Sequence, residues 1–442
     1  MTLSHLPALL SHWFAQLASC LQRRSAARLP LLLGGILFAC RRRTVTAWFR
    51  AAGIGSDFRQ GYTTVWAVGR RTPLLATQTF QAVKTLLPAG RLVVAVDDTP
   101  TPRYGPCVQG AGIHHNPTPG PAGEKFVYGH VWVTLAVLAK HADWGTLALP
   151  LQASLYACRK DIDALAPDQR WPFCTKLQLA AEQLHWLKTW SGTRFSSLWA
   201  VSDGAYAQRA YLRAARQDNI VVVACLRKNA ALRSVPSPVR REGQRGPLPT
   251  YGKERIDLAE CAGQPGGWQQ LECVQYGQRV VKTIKAFEAT WRPAGRRIRV
   301  VLVKEEDGWQ AYFCTDTAAS VVDILEAAAD RGAIEQTFKD VKEVWGAGQQ
   351  QVRNVHASIG AFNLHVWLYS LVEAWAWAKP AGELVDRAAS PWDEEERRPS
   401  HADKRKALQR EIVHQEIQAG LCGRPNKQRF RELAERLLQL AA

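Results

Sequence analysis

The chain has no closely paired cysteines and no long apolar segment. None of its ten cysteines forms a Cys-x-x-Cys pair or stands at zinc-finger spacing from a histidine, which argues against a structural zinc site. The longest apolar run, residues 29–40, would extend about 18 Å as a helix, short of the roughly 30 Å of a bilayer core. No basic segment followed by an apolar one opens the chain, so no signal peptide is predicted. We expect a soluble, cytoplasmic protein that has reduced thiols and no membrane contact.

Acidic residues are scarce in two segments of the chain. Residues 1–90 contain 11 Lys or Arg and a single acid, Asp57, whereas residues 227–299 contain 15 Lys or Arg and six acids. The net charge of the whole chain is +18, so these two segments account for all of the excess. Positive charge concentrated in this way predicts two surfaces that contact a polyanion.

The first basic segment is predicted to be helical and to bind DNA. Thr44 is a candidate N-cap, and two short helices over residues 44–68 would form a candidate helix-turn-helix. Arg41, Arg42 and Arg43 directly precede it and are predicted to contact DNA phosphates. The alternative is an ordinary helical hairpin, which is a common structure.

Beyond residue 90, apolar runs typical of buried strands alternate with helical patterns, which predicts an α/β sheet. Proline and glycine punctuate residues 227–299, where short alternating runs indicate a β-rich insertion. We therefore assign four regions. They are a helical DNA-binding region (1–90), an α/β catalytic domain (91–226 plus 300–378), a basic β-rich insertion (227–299) and a helical tail (379–442).

Three carboxylates stand where a metal-dependent phosphoryl-transfer site would need them. Asp97 and Asp203 are each predicted to end an apolar strand, and Glu335 lies in a predicted helix. Carboxylate oxygens are the ligands that Mg²⁺ prefers, and two such ions can hold both the attacking and the leaving oxygen. Asp98 is the alternate to Asp97, because adjacent residues of a continuing strand point to opposite faces.

The helix around Glu335 carries the most specific signal. At 100° per residue, Arg331, Glu335, Phe338 and Lys342 fall within a stripe about 60° wide. This charged stripe flanks the apolar side of the helix, whereas a purely solvated face would point away from it. The arrangement suits a carboxylate that reaches a metal ion at the sheet edge, with cations nearby for phosphate.

The order Asp97, Asp203, Glu335, with Arg331-x3-Glu335-x6-Lys342, resembles the DDE transposases of bacterial insertion sequences. It is most similar to the group with the signature Tyr-x2-Arg-x3-Glu-x6-Lys and a β-rich insertion before the glutamate. The resemblance spans residues 93–377, and Ala328 stands at the position of the signature tyrosine.

The resemblance implies a ribonuclease-H-like fold and two Mg²⁺ ions, for which Mn²⁺ can substitute, at Asp97, Asp203 and Glu335. It implies DNA cleavage at element ends followed by strand transfer into target DNA. The expected partners are double-stranded DNA and a second copy of the chain, which would form a homodimer on paired ends in a bacterial nucleoid. Arg331 and Lys342 would contact DNA, and Trp291, or less strongly Trp268, would hold a flipped base.

Two other functions remain compatible with the sequence. A catalytically inactive, transposase-derived DNA-binding protein would have the same basic surfaces, but its action would not depend on a divalent metal. A ribonuclease-H-like nuclease that cuts without joining would need the same acids.

Overall fold

The computed structural model describes residues 6–116, 124–239, 246–387, 392–394, 396–421 and 434. Helices occupy its first part, and the Thr44 hydroxyl caps α4 by accepting the Ala47 N–H at 3.2 Å. Their bounds are α1 (Ala8–Ser19), α2 (Arg23–Ala26), α3 (Leu29–Phe38), α4 (Val45–Ala51), α5 (Arg59–Arg70) and α6 (Thr72–Lys84).

In the described part of the chain, twelve strands form one mixed sheet. The first eight strands are β1 (Gly90–Pro102), β2 (Gly112–His115), β3 (Phe126–His141), β4 (Gly145–Tyr156), β5 (Phe195–Ser202), β6 (Val221–Cys225), β7 (Leu232–Arg233) and β8 (Arg255–Ile256). The last four are β9 (Gln269–Gln275), β10 (Gln278–Trp291), β11 (Arg296–Glu305) and β12 (Gly308–Cys314). Its centre has the order β4-β3-β1-β5-β6; β3 is antiparallel to β1 and β4, and β5 is parallel to β1 and β6.

Helices cover both faces of this sheet and leave large apolar clusters between the layers. The helices between strands are α7 (Arg159–Asp163), α8 (Lys176–Ser191), α9 (Arg209–Gln217) and α10 (Leu258–Gly263). Those after the sheet are α11 (Val321–Asp330), α12 (Ala333–Glu343), α13 (Val355–Ala376), α14 (Ala381–Leu384) and α15 (His401–Leu421). Within the described residues, no helix is both long and apolar enough to cross a membrane.

The first strand is longer than its apolar run predicts. β1 continues through Asp97 and Asp98 to Pro102 because its antiparallel pairing with β3 extends to Pro102↔Gly129. The sequence-based expectation that Asp97 ends a strand is therefore wrong. The backbone hydrogen bonds of β3 outweigh the weak strand preference of the two aspartates.

The segment 227–299 contains strands that continue the central sheet. β12 pairs with β6, β11 with β12 and β10 with β11, all antiparallel. β11 runs across position 300 without interruption, so the inner faces of these strands share the packing of the central sheet.

The helix α5 packs on α13 at very short range through two glycines. A Cβ on Gly69 would lie 1.8 Å from the His356 carbonyl oxygen, and one on Gly360 would lie 2.1 Å from the Val65 carbonyl oxygen. Only glycine permits this approach of two helix backbones. The contact joins the N-terminal helices to the long buried helix α13.

A buried ionic cluster joins α15 to α13. Glu373 accepts hydrogen bonds from Lys404 Nζ and from His401 Nδ1, both at 2.6 Å, and His401 Nε2 accepts the Trp345 Nε1–H at 2.7 Å. Burial would raise the pKa of Glu373, but the Lys404 ammonium and the His401 hydrogen bond lower it to about 2. The cluster therefore contains an ionised pair, Glu373 and Lys404, in the protein interior.

Removal of one member of this pair is expected to destabilise the protein. Lys404→Met keeps the volume of the side chain but leaves Glu373 without its ammonium, so the free energy of unfolding should fall by about 3–5 kcal/mol at neutral pH. Lys406→Met is the matched control, because Lys406 is exposed on the same helix and its loss should change stability by less than about 0.5 kcal/mol. Urea denaturation of both variants measures the difference, and equal effects would contradict the assigned role.

Candidate active site

The parallel pairing of β1 with β5 brings two carboxylates side by side. Val96 is the register partner of Ser202, so Asp97 and Asp203 are the next residues on adjacent strands, which lie about 4.8 Å apart. The Asp203 carboxylate accepts the Gly204 N–H at 2.6 Å as the chain leaves β5. The predicted proximity of these two acids is thus present in the structure.

Arg331 connects this pair to the third acid. Its Nη1 lies 2.8 Å from Asp97 Oδ2, and its Nη2 lies 3.1 Å from Glu335 Oε1. Burial lowers the pKa of Arg331, but Asp97, Glu335 and Asp203 outweigh it and raise that pKa. A single guanidinium therefore bonds to acids of β1 and α12 and interacts electrostatically with the acid at the end of β5.

The pKa of Asp97 is raised from 3.8 to about 6. Burial is the largest cause, since the side chain is only 19% exposed, and the charges of Asp98 and Asp203 add to it. Arg331 and the Asp98 N–H, which Asp97 accepts at 2.8 Å, act in the opposite direction. The site thus holds more negative charge than its cation neutralises.

Asp98, the alternate first acid, has different partners. Its Oδ2 lies 2.6 Å from Lys176 Nζ, and its Oδ1 accepts the Tyr206 hydroxyl at 3.0 Å. Both of its oxygens are engaged, whereas Asp97 is bonded to the arginine that also holds Glu335. These contacts favour Asp97 as the member of the acid cluster.

The chemistry of the donor set fits a hard divalent cation, although the acids are held apart by Arg331. Among the described residues, no group of three or more His, Cys, Asp or Glu side chains is spaced to hold a metal ion. The Arg331 guanidinium bonds to one oxygen of Asp97 and to one oxygen of Glu335, so it acts as the counter-cation of these two carboxylates. Ion binding at these acids would require Arg331 to release at least one of them.

Arg331 does not lie on the same helix as Glu335 and Lys342, contrary to the predicted stripe. Arg331 caps α11 and lies in the turn before α12, and only Glu335 and Lys342 belong to α12 itself. Lys342 comes two turns after Glu335, about 10 Å along the axis. It lines a cavity that also contains Arg41 and Arg42.

The three N-terminal arginines differ in their surroundings. Arg41 and Arg42 are exposed. Arg43 is half-buried, and it donates from its backbone N–H to Gln349 Oε1 at 2.8 Å and from Nη1 to the Glu343 carbonyl at 3.2 Å. Arg43 therefore holds the chain in place, which leaves Arg41 and Arg42 as the candidates for phosphate contacts.

Trp291 and Trp268, the two tryptophans of the insertion, differ in how much of the ring is exposed for stacking on a DNA base. Trp291 is only 7% exposed and packs edge-on against Phe313 at 5.1 Å, so its buried ring offers no face to DNA. Trp268 is half-buried, and Lys285 Nζ lies 5.0 Å from its ring centroid. The sequence favours Trp291 over Trp268 as the residue that stacks on a base, and the burial of Trp291 reverses this preference.

Sequence reasoning missed Tyr276, an aromatic residue of the insertion that lies against Gly332, in the turn before the helix of Glu335. Tyr276 occupies the tight turn between β9 and β10 with φ +53° and is 79% exposed. Its ring lies against Gly332, where a Cβ would be 3.2 Å from Tyr276 Cε1, and Gly332 directly follows Arg331. Gly277 in the sequence signals a turn, but no local pattern could indicate that this turn would reach Gly332.

The family model of the DDE superfamily endonucleases matches residues 16–297. The chain belongs to this family. The matched residues include Asp97 and Asp203 and end before Glu335, so the third acid rests on the geometry described above. No curated protein matches the chain.

The raised pKa of Asp97 predicts how the metal-free protein responds to pH. The folded state binds this proton more tightly than the unfolded chain, so the free energy of unfolding should fall as pH rises from about 4 to about 6. Asp97→Asn removes the titrating group and should raise the free energy of unfolding at pH 8 by about 1–3 kcal/mol. Millimolar Mg²⁺ should stabilise the wild type but not Asp97→Asn, because an ion that binds only the folded state shifts unfolding by mass action.

Asp98→Asn is the matched control for this measurement. It loses the ion pair with Lys176 and should lower the stability, while the response to Mg²⁺ remains. If Asp97→Asn retained the Mg²⁺ response and Asp98→Asn lost it, Asp98 would be the first acid. Thermal and urea denaturation across pH 4–8 provide the readout.

Proposed function

We propose that this protein is a DDE transposase that cleaves DNA at the ends of an insertion sequence and joins those ends to target DNA. In this reaction water attacks a phosphodiester and releases a 3′-hydroxyl. That hydroxyl then attacks a phosphodiester of the target, which forms one P–O bond as another breaks. The chain would act as a homodimer on two paired DNA ends.

One observation carries the proposal: a single guanidinium, that of Arg331, bonds to Asp97 and Glu335 and also interacts electrostatically with Asp203, in a chain of the DDE superfamily endonuclease family. An enzyme of this kind needs three acids from distant parts of the sequence at one point. The acids here are separated by more than 100 residues each. Their shared electrostatic partner is difficult to explain by a purely structural role.

The order of the central strands supports a ribonuclease-H-like catalytic domain. Such a fold has three antiparallel strands followed by two parallel ones, which is also the arrangement of β4-β3-β1-β5-β6 here. The acids lie on the middle strand, at the end of its parallel neighbour and on a helix that contacts β1 and β4. Residues 1–90 would bind DNA outside this domain, and residues 227–299 would form the insertion.

Each proposed site residue has a distinct task. Asp97, Asp203 and Glu335 would hold two Mg²⁺ ions, which when bound activate the attacking oxygen and stabilise charge on the leaving oxygen. Arg331 balances the carboxylates and contacts a DNA phosphate once it releases them. Lys342 steadies a more distant phosphate, and such positioning is a major part of phosphoryl-transfer catalysis.

Loss of any one acid is expected to abolish metal-dependent cleavage. Asp97→Asn, Asp203→Asn and Glu335→Gln keep the size of each side chain but remove the charge that a hard cation requires. Each should reduce Mg²⁺-dependent cleavage of a labelled duplex by at least about a thousandfold, with no further loss in combination, because the acids act as a unit. DNA binding, followed in parallel by fluorescence anisotropy, should be retained.

Glu343→Gln is the matched control, since Glu343 is an exposed glutamate on the same helix. The substrate duplex is taken from inverted repeats that flank the gene. Cleavage that persists in Glu335→Gln would remove Glu335 from the site. A wild type that binds this DNA without cleaving it would favour the inactive relative, and cleavage without joined products would favour the cut-only nuclease.

We also propose Tyr276, in place of Trp291, as the aromatic residue of the insertion that contacts DNA at the cleavage site. Its exposed ring beside Gly332 supports this assignment. Stacking of an unpaired base on an aromatic ring contributes about 1–3 kcal/mol.

Substitution of Tyr276 should therefore affect activity, whereas substitution of Trp291 should affect folding. Tyr276→Ala is expected to lower cleavage roughly 5- to 150-fold with unchanged thermal stability, and Tyr276→Phe should retain activity. Trp291→Ala creates a cavity in the core and should lower the free energy of unfolding by about 3–5 kcal/mol. Normal stability of Trp291→Ala combined with a specific loss of cleavage would return the role to Trp291.

A further inference from the structure

A cavity of about 820 Å³ opens beyond the C-terminal ends of β1 and α12. Its lining contains five basic residues and no acid: Arg41, Arg42, Arg103, Lys342 and Arg353. Apolar groups between them include Pro102, Pro106 and Val352. Such a mixture of positive charge and apolar surface suits a ligand that has both phosphates and flat, weakly polar rings.

Within the residues that the structure describes, several of these cations have no acidic partner. The side chains of Arg41, Arg42, Lys342 and Arg353 make no ion pair with an acid in the described part of the chain. Lys342 is half-buried, and burial lowers its pKa. Arg103 is 5% exposed, and within the same residues its Nε has no hydrogen-bond partner. Charge that is left unbalanced and partly buried indicates a site for an anion.

The walls of the cavity are held together by specific bonds. Arg103 donates to the carbonyl oxygens of Val352 and Gly348, and the Gln109 N–H donates to the Arg353 carbonyl at 2.9 Å. On the other side, Arg43 is bonded to Gln349. Three distant segments of the chain therefore meet in a built site.

Tyr104 stands in the lining of this cavity, and 76% of its surface is exposed. An aromatic side chain so exposed has no packing role. Proteins that bind single-stranded nucleic acid combine this type of aromatic platform with a positively charged groove that follows the backbone. A double helix is too wide to enter a cavity of this size and would touch only its rim.

The position of the cavity relates it to the acids. Pro102 is five residues beyond Asp97 in an extended strand, about 16 Å, and Lys342 is about 10 Å from Glu335 along α12. If the DNA stays paired between the acids and the cavity, its phosphates are spaced about 3.4 Å along the axis, and these distances correspond to roughly three to five nucleotides.

We propose that this cavity binds an unpaired segment of DNA, three to five nucleotides from the phosphate held at the acids, with one base stacked on Tyr104. The inference rests on the proposed function and adds a subsite to it. Arg41 and Arg42 contact the phosphates of the unpaired strand. Lys342 and Arg353 lie on the route that the DNA takes from the cavity to the acids.

Cys107 is an internal reporter, because it is exposed and lines the same cavity. The full-length protein is treated with iodoacetamide without divalent metal, and alkylation is quantified by mass spectrometry. A duplex with a six-nucleotide single-stranded overhang should protect Cys107, whereas the blunt duplex should not. Cys174, which is half-buried and outside the cavity lining, is the reference within each sample.

Affinities measured by anisotropy identify the group that carries the binding. Tyr104→Ala should weaken binding of the overhang duplex roughly 5- to 150-fold and leave the blunt duplex unchanged, while Tyr104→Phe behaves as wild type. An overhang of abasic sites, which keeps the phosphates, should lose the same advantage with the wild type. Arg41→Ala and Arg42→Ala should each reduce the slope of log affinity against log salt by about 0.7.

Equal binding by Tyr104→Ala and wild type, or equal protection of Cys107 by blunt and overhang duplexes, would overturn the inference. Mg²⁺-dependent cleavage of the blunt element-end duplex by the wild type is measured in parallel. Cleavage without selective overhang binding would refute the subsite alone, whereas overhang binding without cleavage would refute the proposed function and leave the subsite in place.

Discussion

The parallel register between β1 and β5 is the constraint on which the candidate site depends. This register places Asp97 beside Asp203, where the Asp97 side chain is partly shielded from water. Burial is the largest cause that raises the pKa of Asp97 to about 6, and the charge of Asp203 adds to it. Two neighbouring carboxylates would repel each other in an otherwise neutral setting. Arg331 relieves that repulsion and at the same time draws Glu335 toward the pair. The carboxylates of the site therefore repel one another, and the Arg331 guanidinium offsets only part of that repulsion.

The helix α12 links the acids to the basic cavity. Glu335 lies in its first turn and Lys342 in its last turn, so one rigid element sets the distance between the two. Its C-terminal end is held by Arg405 of α15, which donates to the carbonyls of Val344, Leu37 and Ala39. The same arginine therefore fixes the end of α12 relative to the segment that presents Arg41 and Arg42.

The insertion shows how burial changes the role of an aromatic residue. Because β10 and β11 continue the central sheet, Trp291 at the end of β10 faces its interior and packs with Phe313. Tyr276, at a turn between two strands, has no neighbouring sheet to cover it and stays exposed. Tyr276 and Tyr104, the two aromatic residues that we propose for DNA contact, thus lie in a turn and in a loop, and neither lies within a strand.

The amino-acid sequence by itself determined the alternation of strands and helices, the cap at Thr44, the choice of three candidate acids and the excess of positive charge near the N-terminus. These features depend on local spacing, residue type and composition, which can be read along the chain. Only the tertiary structure decided four other features. They are the continuation of β1 past Asp98, the contacts of Arg331 with two acids, the burial of Trp291, and the position of Arg41, Tyr104 and Lys342 around one cavity. Each depends on a partner from a distant segment: β3 for β1, Asp97 for Arg331 and Phe313 for Trp291. Hydrogen bonding and packing between such segments outweigh local preference, and no pattern within a short stretch of sequence carries that information.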